Sequence, residues 1–282
     1  MNPAVTLLPL LLGPALTLAV PPSAARAAED VGVGVELVLA VDVSRSMDMT
    51  EQRVQRQGYA AAFRSDEVLG AILNGGWGRV AVAYVEWAGT QTQSVMIPWT
   101  LIDSADSAEA FARAVETGRM GTYSRTSISG ALEFSTALFE DNGYAGLRQV
   151  IDVSGDGPNN QGRAVTEARD AAIARRITIN GLPLMTNVGD PDNGFGGWST
   201  IADLDVYFED CVIGGPGAFA IPVVSWDQFA AAVRQKLVLE LAGDMPGAEG
   251  PERLIRVQAA ASSRVDCLIG ETLWQRRQQM WE

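Results

Sequence analysis

An aspartate and two serines follow an apolar run near the start of the chain, on alternate residues. The stretch VELVLAVDVSRSMD begins at Val35 and contains Asp42, Ser44 and Ser46. Side chains two residues apart in an extended chain point the same way, so these three can face one ligand where the strand opens into a loop. Carboxylate and hydroxyl oxygens suit Mg²⁺, Mn²⁺ or Ca²⁺ and disfavour zinc and copper. The spacing therefore predicts part of a site for a hard divalent cation.

Two further oxygen donors follow later in the chain. Asp156 comes after the apolar run VIDVS, and Thr126 directly precedes a segment with helical spacing. In an open parallel sheet, ligands bind outside the carboxyl ends of the strands, where the strand order reverses. Two carboxylates about 5 Å apart repel by roughly 3 kcal/mol at an effective dielectric of 20, and a dication between them removes that repulsion. The predicted metal ligands are Asp42, Ser44, Ser46, Thr126 and Asp156.

Alternating strands and helices predict the architecture that positions these side chains. Nearly continuous apolar runs predict strands over 35–43, 79–87, 93–99, 149–154, 177–185 and 218–224. Helical spacing predicts helices over 50–73, 107–116 and 164–176, one after Thr126, and a last one with Ser225 as its N-cap and Gln228 three residues on. Strands buried on both faces need helices on both sides. We therefore predict a single α/β domain with a doubly wound, mostly parallel sheet and a C-terminal tail.

The first 27 residues predict export. An apolar segment over 7–20 precedes Ala25-Arg26-Ala27, the small-x-small pattern that signal peptidase cuts, so we expect cleavage after Ala27 and a periplasmic or secreted protein. The alternative is a membrane anchor that stays attached, and no later stretch is apolar enough to span a bilayer. The expected organisation is a signal peptide at 1–27, the α/β domain at 28–242, and a linker with a tail at 243–282.

Export would place the two cysteines in an oxidising compartment. An oxidising compartment allows Cys211 and Cys267 to pair, which would tie the tail to the domain, and the alternative is two buried thiols. Within the tail, a short docking helix is predicted from the spacing of Leu273, Trp274, Arg277, Met280 and Trp281.

Composition excludes several classes of function. The 282-residue chain carries 34 acidic and 21 basic residues, a net charge of −13, which argues against a nucleic acid as partner. It contains no histidine, which excludes Ser-His-Asp and Cys-His catalysis and imidazole metal sites. A metal ion or a protein surface is the expected partner.

The predicted ligands resemble a known site. DVSRSM at 42–47, Thr126 within TSISGAL and Asp156 within VIDVSGDG resemble, in order and spacing, the metal-ion-dependent adhesion site of von Willebrand factor A (vWA) domains, a Rossmann-like fold. The resemblance extends from Val35 to Ala242. VAYVEWAG at 82–89, DVSGDGPNN at 152–160 and DCVIGGPGAFAIPV at 210–223 are similar to an exported bacterial vWA-like group of unassigned function, domain of unknown function 1194.

The resemblance implies a role for each ligand. Ser44 and Ser46 would bind the metal directly, Thr126 directly or through water, and Asp42 and Asp156 largely through water and hydrogen bonds. Mg²⁺ is the expected ion, with Mn²⁺ or Ca²⁺ as alternatives. One coordination position would stay open for an aspartate or glutamate of a partner protein. The resemblance thus implies a protein-binding module and not an enzyme.

Other interpretations remain open. Asp42 could serve a metal-dependent hydrolase or phosphatase, although Ser44 stands where such enzymes usually carry a second aspartate. The domain could be purely structural with a vacant metal site, or the two aspartates could merely cap helices.

Side chains around the site suggest further roles. Tyr123, Arg125 and Trp198 lie on predicted loops close to the site and are candidates for partner selection. Asp152 and Glu86 fall in apolar strands, and buried acids require partners, which the sequence does not identify.

Overall fold

The computed structural model describes residues 29–186, 200–242, 255–256 and 264–280. The predicted signal peptide, Trp198 and the predicted linker at 243–251 lie outside these ranges.

A seven-stranded sheet forms the centre of the domain, in the order β3-β2-β1-β4-β5-β6-β7. The strands are β1 Val31–Asp42, β2 Val80–Trp87, β3 Gln93–Ile102, β4 Tyr144–Gly155, β5 Ile177–Pro183, β6 Phe219–Ala220 and β7 Ile255–Arg256. Of the strands in the described ranges, only β3 and β7 run antiparallel to their neighbours. β1 lies between β2 and β4, and every residue of β2 is buried, which explains the unbroken apolar run of its sequence. The predicted mostly parallel, doubly wound sheet is confirmed.

Helices cover both faces of the sheet. They are α1 Met49–Phe63, α2 Asp66–Leu73, α3 Ala105–Thr117, α4 Ile128–Ala137, α5 Val165–Ala174, α6 Leu204–Tyr207, α7 Phe229–Leu241 and α8 Ile269–Gln279, with a π-helical turn at Phe208–Val212 and a 3₁₀ turn at Trp226–Gln228. One buried apolar cluster joins α1, α3 and α7 to the sheet, and a second joins α4, α5 and the π-helical turn. Within the described ranges, none of the helices has the length and apolar character that crossing a bilayer requires.

Three predicted elements differ from the structure in kind, and others differ only in their bounds, such as β4, which begins at Tyr144 and not at position 149. The helix predicted over 50–73 is two helices, because the Ser65 hydroxyl accepts a hydrogen bond from the Val68 amide and caps a new one. Ser225 is not a side-chain cap, since its hydroxyl donates to Asp227 and a 3₁₀ turn precedes α7. The strand predicted over 218–224 is regular only at β6, and Pro222 cannot donate to a ladder.

Glycine at position 58 permits close packing of α1 against α7. A Cβ added there would lie 2.5 Å from the Phe229 ring, whereas one added to Gly70 of α2 would meet only ordinary contacts at 3.7 Å. We expect Gly58→Ala to lower the free energy of unfolding by about 1–3 kcal/mol through overpacking. The matched Gly70→Ala variant should instead gain roughly 0.5–1 kcal/mol from helix propensity. Urea unfolding of both variants tests this, and equal effects would contradict it.

The C-terminal tail is fastened to the domain. Cys211 and Cys267 form a disulfide with their Cα atoms 5.5 Å apart, as predicted. Arg264, three residues before Cys267, pairs with Glu209 and Asp210 beside that disulfide. α8 follows and is the docking helix that the sequence predicts.

Both buried acids have basic partners. Arg56 of α1 donates to the Glu86 carboxylate from Nε at 3.0 Å and from its terminal nitrogen at 2.6 Å. Lys236 of α7 lies 2.7 Å from Asp152 Oδ1. All four side chains are buried. Each pair joins a helix to a strand, so both buried charges are compensated across the sheet–helix interface.

Candidate metal centre

The predicted metal ligands lie at the carboxyl edge of the sheet, where the strand order reverses. The chain leaves β1 toward β2 on one side, and β4 lies on the other side, paired so that Val41 faces Ser154. Asp42 and Asp156 therefore emerge from neighbouring strands. A Cβ added at Gly155 would lie 3.2 Å from Asp42 Oδ2, so the two strand ends approach closely at the carboxylate.

Hydrogen bonds link four of the five predicted ligands. The Ser44 amide donates to Asp42 Oδ1 at 2.7 Å, and the hydroxyls of Ser44 and Ser46 are 2.9 Å apart. The Ser46 hydroxyl donates to Asp156 Oδ1 at 2.7 Å, across 110 residues of sequence. The alternate spacing read from the sequence thus brings both hydroxyls between the two carboxylates.

Thr126 lies on a loop that is bonded to its surroundings through the backbone. Its amide donates to Asn160 Oδ1 at 3.0 Å, and its carbonyl accepts from the Asn160 amide at 2.8 Å. On the other side, Tyr123 forms a bridge with Ser44 and donates to the Val43 carbonyl at 3.2 Å. The Thr126 loop therefore lies between the loop after β1 and the loop after β4.

The two carboxylates are buried, and no basic side chain of the described residues pairs with them. Asp42 is fully buried and Asp156 is 2 % exposed. Burial raises the pKa of Asp42 to about 7, although the hydrogen bonds from Ser44 oppose the shift. Burial also raises the pKa of Asp156 well above its usual range, and the neighbouring charge of Asp42 raises it further. Asp42 Oδ2 has no hydrogen-bond partner among the described residues. These are the properties of a carboxylate pair that lacks a positive charge.

The donor set fits a hard divalent cation. Two carboxylates and up to three hydroxyls supply only oxygen, which suits Mg²⁺, Mn²⁺ and Ca²⁺. Within the described ranges no three acidic or cysteine side chains gather around a common point, so hydroxyls would have to complete the coordination. The orphaned Asp42 Oδ2 is the atom that a cation would satisfy.

The predicted partner-selecting residues have different surroundings. Tyr123 is 48 % exposed and borders the loop after β1. Arg125 has a positive φ of 79°, an uncommon conformation for a residue with a side chain, and its guanidinium lies 3.4 Å from the centre of the Trp274 ring in α8. Trp198 lies outside the described residues.

The sequence interpretation missed two asparagines that organise the loops. Asn160 holds Thr126, and Asn159 accepts a hydrogen bond from the Ser129 amide at 3.0 Å, at the start of α4. Asn159 is itself fully buried. Both belong to DVSGDGPNN, where consecutive amide side chains directly after the predicted ligand Asp156 were the available signal.

A family profile matches most of the domain. The profile is described as "Protein of unknown function (DUF1194)" and covers residues 32–245. The chain belongs to the DUF1194 family. A search of curated protein sequences returned no match to this DUF1194 protein.

Several solved structures of low sequence identity share the fold of this DUF1194 protein. Proximal thread matrix protein 1 from the mussel byssus has a TM-score of 0.54 at 14% identity, over 76% of this chain and 49% of that one. Pilus adhesin SpaC from Lactobacillus rhamnosus GG has a TM-score of 0.51 at 14% identity, over 76% and 32%. A von Willebrand factor type A protein from Catenulispora acidiphila has a TM-score of 0.50 at 14% identity, over 74% and 43%.

These similarities establish the fold of the DUF1194 protein as vWA-like. The chain spans about half or less of the length of these three solved chains. Another structure of the mussel protein is described as having a zinc-occupied MIDAS motif, at a TM-score of 0.51 and 15% identity over 76% of this chain and 49% of that one.

Proposed function

We propose that this DUF1194 protein is an exported binding module that holds a divalent cation and uses it to capture an aspartate or glutamate of a partner protein. The observation that carries the proposal is the pair of buried carboxylates, bridged by serine hydroxyls, in which Asp42 Oδ2 has no hydrogen-bond partner in the described part of the chain. The zinc-occupied MIDAS motif of the mussel protein supports a divalent cation in this type of fold. The oxygen donors favour Mg²⁺, with Mn²⁺ and Ca²⁺ next.

The neutral hydroxyl ligands and the charged carboxylates would have different roles at the cation. Ser44, Ser46 and Thr126 are neutral donors, so a cation held by them keeps most of its charge for a further ligand. Asp42 and Asp156 would orient the hydroxyls and compensate the ion, since Asp42 already holds the Ser44 amide and Asp156 already accepts from Ser46. An arrangement that leaves the ion electrophilic, with a protein carboxylate as the added ligand, favours adhesion over catalysis.

Cation binding is the first test. We expect mature wild-type protein to bind Mg²⁺ and Mn²⁺ in calorimetric titrations, and Asp42→Asn to weaken binding by about 100-fold or more, because a buried negative charge that compensates the ion is lost. Asp48→Asn is the matched control: it makes the same charge change on an exposed N-cap that asparagine also serves. Equal heats from wild type and Asp42→Asn would contradict the proposal.

Partner capture is the second test. Immobilised wild-type protein should retain a partner protein from a periplasmic extract, and Thr126→Ser, which keeps the hydroxyl, should retain the same protein. Thr126→Ala should not retain it, and chelator should release it from the wild type. A species retained equally by all would contradict capture through the ion. Turnover of a generic phosphate ester that Asp42→Asn abolishes would favour a metal-dependent hydrolase instead.

We also propose export to the periplasm or beyond. The apolar segment with its Ala25-Arg26-Ala27 pattern and the Cys211–Cys267 disulfide support it, because disulfides persist in oxidising compartments. The intact mass of the exported protein should correspond to a chain that starts at Ala28, and a retained N-terminus would contradict cleavage.

A further inference from the structure

The C-terminal helix α8 contacts the loop that follows Asp156. Glu271 Oε1 accepts a hydrogen bond from Asn159 Nδ2 at 2.6 Å, and Asn159 in turn accepts from the Ser129 amide and donates its own amide to the Tyr207 hydroxyl at 3.2 Å. Gly270, the one buried residue of α8, packs directly on the Asn159 backbone, where any Cβ would overlap the carbonyl. The helix therefore fixes both the side chain and the backbone of Asn159.

The same helix contacts the loop that carries Thr126. The Trp274 ring stacks on the Arg125 guanidinium at 3.4 Å, and Arg125 has the positive φ that turns the chain just before Thr126. A stacked cation–π contact of this kind stabilises the position of the Arg125 side chain. The contact ties the left-handed turn to an element outside the α/β core.

A disulfide and an ion pair hold the segment before α8 against the domain. The Cys211–Cys267 disulfide lies two residues before α8, and Arg264 pairs with Asp210 from the same segment. Cys211 belongs to the π-helical turn that packs on the sheet. The position of α8 is thereby set relative to the core and not only by the loops that it touches.

We propose that α8 positions the cation site, with Glu271, Gly270 and Trp274 as positioning residues. They hold Asn159 and Arg125, and through these the loops of Asp156 and Thr126, in a geometry that the sheet alone does not fix. This inference rests on the proposed function for the cation, but the ordering of the loops is measurable without any cation.

Hydrogen exchange of metal-free protein tests the loop ordering. We expect Glu271→Ala to speed exchange of the Thr126, Ser129 and Asn160 amides by about tenfold, because their acceptors belong to the loops that α8 holds. Glu271→Gln keeps an acceptor oxygen for Asn159 and should stay within about twofold of wild type. Gln275→Ala changes an exposed residue of α8 and should have no effect. The amides of β2 serve as the internal reference for global unfolding.

Cation affinity tests the consequence for the site. Glu271→Ala and Gly270→Ala should each weaken Mn²⁺ binding about tenfold, and Glu271→Gln should restore it. Gly270→Ala adds a helix-favouring residue, so a loss there reports displacement of α8 and not helix unfolding. Unchanged loop exchange in both variants would overturn the inference, as would faster exchange with unchanged Mn²⁺ affinity. A wild type that shows ordered loops but binds no Mn²⁺ would overturn the proposed function, and with it the role of α8 in cation binding.

Discussion

Replacing Lys236 by methionine is expected to lower the free energy of unfolding by about 3–5 kcal/mol, the cost of removing one partner from a buried ion pair. Lys236 is the only lysine of the chain and is fully buried. Its ammonium lies 2.7 Å from Asp152 Oδ1 and also contacts Glu240, one turn further along α7. Methionine fills a similar volume, so the loss reports charge and not a cavity.

The network around Lys236 explains why the loss is large. Asn180 of β5 donates to Glu240 Oε1 at 2.9 Å, and Glu240 is 1 % exposed. Burial and the charge of Asp152 raise the pKa of Glu240 to about 7, while Lys236 opposes the shift. Without Lys236, both acids would be held protonated to a higher pH in the folded state. The loss should therefore grow as the pH rises from about 5 to 8, because the unfolded chain releases protons that the folded chain retains.

Urea unfolding at several pH values measures this effect. Arg234→Met is the matched control, since it removes an exposed charge from the same helix and should change stability by less than about 0.5 kcal/mol. A variant that also carries Asp152→Asn and Glu240→Gln should recover much of the loss, because no buried charge is left unpaired. A loss below about 1 kcal/mol in Lys236→Met would contradict the structure of this network.

Metal-free wild-type protein is expected to lose stability as the pH rises from about 4 to about 7. The pKa of Asp42 is about 7 in the folded state and that of Asp156 is also raised, whereas an unfolded aspartate titrates near 4. Well below pH 4 both states are protonated, so these acids add no pH-dependent cost to folding. Between the two pKa values only the unfolded chain releases protons, so stability falls with rising pH and levels off above the folded pKa.

Asp42→Asn isolates this contribution. Asparagine keeps an oxygen for the Ser44 amide and removes the buried charge, so the metal-free variant should be more stable than metal-free wild type by about 2–4 kcal/mol at pH 8 and equal to it near pH 4. Asp152 and Glu240 titrate in both proteins and cancel in the difference. Mg²⁺ at 100 times its dissociation constant should add about 2.7 kcal/mol to wild type alone. A variant that is less stable at pH 8 without cation would contradict the view of an uncompensated carboxylate pair.

The helices and strands could largely be read from local patterns. The continuous apolar run before Asp42 predicts a central strand, and the structure buries it between β2 and β4. The predicted helix boundaries were wrong where a serine hydroxyl has more than one hydrogen-bond partner within reach. Ser65 caps a helix that the apolar pattern joins to its predecessor, and Ser225 bonds to Asp227 where a cap was expected. Hydroxyls have several acceptors within reach, so spacing alone does not choose among them.

The sequence predicted the ligands of the candidate site but not the helix that supports its loops. The alternate spacing of Asp42, Ser44 and Ser46 identified donors that the structure links by hydrogen bonds, and the order of the strands brought Asp156 beside them. The contribution of α8 was not readable, because α8 lies outside the sheet and the order of the strands does not place Glu271 against Asn159. No sequence pattern indicates where a helix after the last core element docks.

The sequence by itself determined the parallel α/β architecture and the class of donor atoms at the carboxyl edge of the sheet, since these follow from periodicity and residue chemistry. It allowed Cys211 and Cys267 to pair, and the structure decided that they do. Tertiary structure decided which charges compensate each other. Lys236 pairs with Asp152 and Arg56 pairs with Glu86, while the partners that the described residues offer to Asp42 and Asp156 are hydroxyls and amides. The physical reason is that burial and pairing depend on which surfaces the sheet and helices bring together, and the free energy of a buried charge is set by those neighbours and not by its place in the chain.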